Sequence, residues 1–143
     1  MIPGFRDDGW LPSGHYEASW SEVIELFGGT EGSRRSTLTR RLIDLRDVLR
    51  SHGVIGMLLL DGSYISDKLE PSDFDVLLIG PSNIQVIKDQ DASLSRLLDA
   101  QGSEQRGYSL FYIPDDSNAL PLLRTLWDIS REGVTKGVIE VEI

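Results

Sequence analysis

The sequence predicts an α/β (α+β) domain, a mixed sheet of about four strands with helices packed on it. Three observations carry that expectation. Four short apolar or alternating runs, residues 54–60, 73–79, 107–113 and 137–143, are bounded by glycine, proline or polar turn residues, and their lengths favour strands over buried helices. Segments with apolar residues at helical spacing precede and separate them. The 143 residues, 40% of them apolar, suit one domain spanning 1–143, which at this size buries roughly 70% of its unfolded surface.

Residues 1–17 hold Pro3, Gly4, Phe5, Gly9, Trp10, Pro12, Gly14 and Tyr16 without a period of 2 or 3.6. They read as an irregular arm lying on the surface through its aromatics. Ser19-Trp20-Ser21-Glu22 has the form of a capping box, Trp20, Val23, Ile24 and Phe27 share one helical face, and Gly28-Gly29 stops the helix. In the longest periodic segment, Leu38, Leu42, Leu45 and Leu49 recur at i, i+4, i+7 and i+11, with Gly53 just past the end. The same segment carries Arg34, Arg35, Arg40, Arg41, Arg46 and Arg50, six of the fourteen basic residues. Two readings fit these arginines: a solvated face whose stems cover the core edge, or a positive strip open to phosphates or an acidic partner.

The run 54–60, flanked by Gly53 and Asp61-Gly62, reads as a buried strand, and 73–79, stopped by Gly80-Pro81, as a second. Residues 82–101 are predicted helical at least from Ala92, with Leu94, Leu97 and Leu98 on one face and Gly102 as the stop. Residues 107–113 form a third strand ended by Pro114. Ser117 or Asn118 caps a helix through Leu120, Leu123, Leu126 and Trp127. The last run alternates strictly, Ile139, Val141 and Ile143 against Glu140 and Glu142, as in a half-buried strand at a sheet edge where glutamates discourage further pairing.

Charge and composition exclude several function classes. With 14 Lys+Arg against 23 Asp+Glu the net charge is −9, which repels polyanions and argues against direct nucleic-acid binding and against docking on anionic lipid. The absence of cysteine removes disulfides, thiolate metal sites and cysteine nucleophiles. His15 and His52 lack ligand spacing for zinc. No basic-then-apolar leader opens the sequence, and no apolar run approaches a bilayer span, so a cytoplasmic protein without a membrane segment is expected.

The chemistry concentrates in Leu60-Asp61-Gly62-Ser63-Tyr64 and Ser72-Asp73-Phe74-Asp75-Val76. Strand residues two apart point to the same side, so Asp73 and Asp75 present two carboxylates to one face while Phe74 enters the other. Their spacing, roughly 7 Å at about 3.3 Å per residue, suits hard divalent cations. Magnesium takes one or two carboxylates and completes its shell from substrate phosphates. Gly62 lets backbone approach a ligand closely, and Ser63 offers a hydroxyl and an N–H to a phosphate. Asp61 reads as a turn former, and Lys136-Gly137 as a turn into the last strand.

Gly62-Ser63 followed by Asp73-Phe74-Asp75 resembles the signature of the nucleotidyltransferase (DNA polymerase beta-like) superfamily, in its minimal single-domain members. More closely, the chain resembles a family of small, largely uncharacterised bacterial nucleotidyltransferase-like proteins. The shared features are Ile2-Pro3-Gly4-Phe5, Asp8-Gly9 and Leu11-Pro12, then residues 60–66 with Lys68, Pro71 and 73–75, and finally Arg131-Glu132-Gly133 with Lys136-Gly137-Val138-Ile139. The resemblance implies a minimal nucleotidyltransferase fold. It further implies Asp73 and Asp75 as catalytic metal ligands for Mg²⁺, and Gly62, Ser63 and Lys68 as contacts to a nucleoside triphosphate. One departure stands out: the superfamily takes a third carboxylate from a neighbouring strand, where Ser109 occupies the corresponding position here. A third acid helps position the catalytic metal and activate the incoming hydroxyl.

Two functions follow as expectations. One is a protein that binds a nucleoside triphosphate with Mg²⁺ and transfers a nucleotidyl group to a hydroxyl acceptor brought by a partner protein or a second copy. The other is a catalytically degenerate binding or regulatory module, such as a component of a toxin–antitoxin or defence pair.

Overall fold

A computed structural model describes residues 1–97, 107–127 and 133–143. Its strands are β1 (Gly14–Glu17), β2 (Met57–Asp61), β3 (Phe74–Gly80), β4 (Tyr108–Pro114) and β5 (Gly137–Glu142). They form one mixed sheet in the order β1-β5-β2-β3-β4. The β1/β5 and β3/β4 pairs are parallel, while β2 runs antiparallel to both β5 and β3. The expected α+β class holds, with five strands rather than four.

The fifth strand comes from the arm. Gly14–Glu17, expected to be irregular, pairs in register with Gly137–Glu140, so 1–17 is not structureless throughout. Four residues are too short for their alternation to signal a strand. The same pairing corrects the placement of the last strand: β5 lies inside the sheet between β1 and β2, not at an edge. Glu140 is accordingly buried, taking the Nδ1 of His15 at 3.0 Å and the guanidinium of Arg124.

Helices α1 (Trp20–Phe27), α2 (Arg34–Ser51), α3 (Ile84–Gln90) and α4 (Ala92–Leu97) accompany the main core. The capping box at Ser19 and Glu22 closes as expected, and Ser33 caps α2 by accepting from the Ser36 N–H. Leu38, Leu42, Leu45 and Leu49 are buried against Leu58, Leu60, Phe74, Val76 and Leu78 on one sheet face. Val23 and Phe27 join them, whereas Ile24 is 39% exposed. The arm contributes Leu11 to this core, with Ile2 and Phe5 packed at its margin.

The region 82–101, expected to be helical at least from Ala92, holds α3 and, from Ala92, α4 among its described residues. The two divide at Asp91, whose carboxylate accepts from the Leu94 N–H and meets His52 Nε2 at 2.7 Å. Leu98 and Gly102 lie outside the described residues. On the opposite sheet face Leu59, Leu77, Ile79, Ile113 and Val138 form a second cluster, covered by Leu120, Leu123 and Trp127 of α5 (Leu120–Trp127). Leu126, assigned to that face from its spacing, turns outward and is about half exposed. Among the described residues no helix is long and apolar enough to cross a membrane.

Candidate functional site

Alternation fixes which face the two predicted carboxylates use. Phe74 is fully buried on the α1/α2 side, stacked on Tyr108 at 4.8 Å between ring centroids. Asp75 therefore faces the α5 side, beyond the end of the Leu59/Leu77 row. In the sheet register Asp75 lies opposite Asp61 of β2 on one flank and Ser109 of β4 on the other. Asp73 is the residue just before β3.

Two acids directly opposite each other on antiparallel strands repel and destabilise the pairing. Here burial first, then the neighbouring Asp73 and Asp61 carboxylates, push the Asp75 carboxyl above the usual range. Lys136, and after it the Ser109 hydroxyl on the facing strand, pull the other way. The Lys136 ammonium lies 3.2 Å from Asp61 Oδ1 and 4.3 Å from the centre of the Trp10 ring, and both Asp61 and Lys136 are buried.

The bend beside these acids depends on glycine. Gly62 has φ +90° and ψ −178°, a conformation open to glycine and few other residues. A Cβ there would lie 3.1 Å from the Asp75 nitrogen and 3.2 Å from the Phe74 Cα. The bend is thus seated against the opening of β3. Ser63 starts a single 3₁₀ turn, Ser63–Ile65. Its hydroxyl accepts from the Ser72 N–H at 3.1 Å and donates to the Asp73 carbonyl at 3.3 Å. The Tyr64 N–H donates to the same carbonyl. Gly62, Ser63, Asp73 and Asp75 are therefore neighbours through backbone and hydroxyl contacts.

Lys68 lies apart from this cluster's hydrogen bonds. Its side chain is exposed and forms no ion pair among the described residues. The loop that carries it is held by the arginine-rich helix. Arg35 is buried and donates to the carbonyls of Phe27, Tyr64, Ser66 and Lys68. Arg34 donates to those of Pro71 and Ser72. Two of the six arginines thus face inward and clamp the segment between the bend and the acids, so neither a wholly solvated face nor a wholly open positive strip describes them.

Reasoning from the sequence missed Asp61 and Lys136, each taken for a turn residue. The available signal was a charged residue ending an apolar run in phase with Leu59. Among the described residues, Asp115, Glu140 and Glu142 do not converge on the site. Asp115 and Glu142 line a depression with Met57 and Ile79 at the far end of β2, and Glu140 is engaged by His15 and Arg124. A cavity of about 480 Å³, lined by Trp20, Glu22, Arg50 and Glu142, also opens at that far end. Among the described residues no three His, Cys, Asp or Glu side chains are grouped to hold one metal ion, so any cation bound at Asp73 and Asp75 would draw further ligands from elsewhere.

Residues 3–142 match one protein family, described as "Family of unknown function (DUF6932)". No curated protein and no solved structure matches the chain.

Proposed function

The chain belongs to the DUF6932 family of unknown function, and from the geometry of its sheet rim we propose a nucleotidyltransferase-like protein that binds a nucleoside triphosphate with Mg²⁺. One observation carries this reading: two carboxylates open β3 beside a glycine bend whose backbone lies against theirs. The donor set suits a hard cation as a partial cage, with Asp73 and Asp75 supplying two carboxylates and phosphate oxygens and water the rest. Bound there, Mg²⁺ would neutralise charge on the phosphates and polarise the phosphoryl group.

The chain's own residues supply the remaining roles. The backbone at Gly62 and Ser63 cradles the β- and γ-phosphates, because only glycine lets the bend come this close to the rim. Ser109, in register with Asp75 on β4, stands beside the carboxylate without adding charge. Lys68, on the exposed loop, is a further cation within the clamped segment. The site is assigned to the cytoplasm, where nucleoside triphosphates and Mg²⁺ are plentiful. A second reading, a binding or regulatory module that holds nucleotide without transferring it, is favoured by one specific observation. The residue facing Asp75 from β4 is Ser109, which is too weak a base to take the proton of an acceptor hydroxyl. A component of a toxin–antitoxin or defence pair would be of this kind.

Calorimetric titration of ATP, GTP, CTP and UTP with Mg²⁺ into the wild-type protein tests binding, with Asp73→Ala/Asp75→Ala as control. Saturable binding of at least one nucleotide, lost in the control and on chelation of Mg²⁺, is expected. No binding of any of the four ends the nucleotide reading. Incubation with labelled nucleotides and cell extract then separates the two functions: incorporation of label marks transfer, and binding without incorporation marks the module.

A further inference from the structure

The arm that opens the chain does more than cover the core. Arg6 Nη1 donates to the Thr135 carbonyl at 2.9 Å, and the Gly137 N–H donates to the Leu11 carbonyl at 3.0 Å. Between those two anchors the Trp10 ring lies over the Lys136 ammonium. Trp10 is itself bridged to Ser66, just past the glycine bend. Lys136 is thus fixed from one side by the arm and from the other by Asp61, the residue immediately before Gly62. A lysine with its ammonium buried is costly unless that charge has a use or a full set of partners. This ammonium is placed one residue from the bend, against a row of acids whose mutual repulsion it reduces.

We propose that Lys136 is a phosphate-binding residue, a built-in cation that meets the triphosphate beside the Gly62–Ser63 bend. This rests on the nucleotide reading above and extends it. The resemblance implies Asp73, Asp75, Gly62, Ser63 and Lys68 at the site and gives Lys136 no role there; this cation comes from the segment before β5 and is held by the arm. In charge terms, Lys136 offsets Asp61, leaving Asp73 and Asp75 for one divalent cation. It also presents positive charge to an anion that three uncompensated acids would repel.

The two charge effects have opposite signs, which separates a ligand-binding role from a structural one. In Lys136→Gln the rim loses one positive charge. Affinity for Mn²⁺ alone, read by electron paramagnetic resonance titration, is expected to rise severalfold. Affinity for the tightest-binding nucleoside triphosphate with Mg²⁺, read by calorimetry, is expected to fall about tenfold. Lys136→Arg keeps the charge and should hold both values within about threefold of wild type. Where Lys136→Gln does not fold, Asp61→Asn/Lys136→Gln removes the pair together and leaves no unpaired charge. It should bind Mn²⁺ as wild type does and still lose about tenfold for the nucleotide.

Equal nucleotide affinity in the wild-type and glutamine variants would overturn the proposal while leaving the nucleotide reading intact. Parallel weakening of Mn²⁺ and nucleotide would also overturn it, marking Lys136 as a structural ion pair only. Absence of nucleotide binding by the wild-type protein would remove the nucleotide reading itself, and this proposal with it.

Discussion

Arg35→Ala should be among the most destabilising single changes in this chain outside the apolar core. The guanidinium makes five hydrogen bonds to four backbone carbonyls, at 2.5–3.3 Å. It also lies 5.7 Å from the Tyr64 ring centre. Three of those bonds, to Phe27, Tyr64 and Ser66, are buried, and the two to Lys68 are only partly so. Water can replace the donor at Lys68 but has poor access to the other three carbonyls. At about 1 kcal/mol for each buried acceptor left without a donor, the loss is about 3 kcal/mol. The cation–π contact adds about 0.5–1 kcal/mol. A total near 4 kcal/mol lowers Tm by about 10–15 °C in a chain this size.

The acceptors are main-chain atoms, so Arg35→Met leaves the same carbonyls unanswered and should cost nearly as much. Arg35→Lys should recover little, because an ammonium cannot fan out to four carbonyls. Urea denaturation of the three variants at matched pH measures this. A loss below about 1 kcal/mol for Arg35→Ala at unchanged m-value would refute the clamp.

Three further outcomes are expected. Asp75→Asn should stabilise the fold at neutral pH: burial and the facing acids raise the folded-state pKa, so stability present below about pH 3.8 is lost as pH rises through the raised value. The advantage of the variant in denaturant titrations should therefore vanish at low pH. Gly62→Ala should cost about 2–3 kcal/mol, because the bend's backbone conformation excludes a side chain and the nearest atoms are main chain; a thermal melt unchanged from wild type would contradict the packing described. The Val48 carbonyl, and after it Asp91, hold the His52 imidazole above its ordinary range, so its contribution is full below about pH 6.5 and lost as pH rises through the elevated value. The stability difference between wild type and His52→Asn should shrink from pH 5.5 to 8.5, and a difference that grew instead would reverse the assignment.

What was legible in the sequence followed local rules. The capping box at Ser19 and the leucine spacing of α2 are set by neighbours within a turn or two, and both helices formed as the pattern requires. Phe74 entering the core while Asp75 faces the other way follows from the period of a strand, whereas Asp73 stands one residue before β3. What was not legible depends on partners far apart in the chain. Glu140 was assigned correctly to the face opposite Ile139, but that face is not solvent, because His15 and Arg124 meet it there. Asp61 and Lys136 are 75 positions apart, and nothing local marks either as half of a pair.

The position of β5 has a consequence for how the molecule is made. During synthesis on the ribosome, β2, β3 and β4 emerge before residue 137, and β1 has emerged earlier still with its partner β5 yet to come. The growing chain therefore carries an incomplete sheet whose β2 edge, Leu58-Leu59-Leu60, is apolar and unpaired until β5 slides between β1 and β2. Such an edge invites pairing with other chains. Ribosomes that stall in the preceding stretch should release an aggregation-prone species, although every residue of the acidic rim except Lys136 has by then been made.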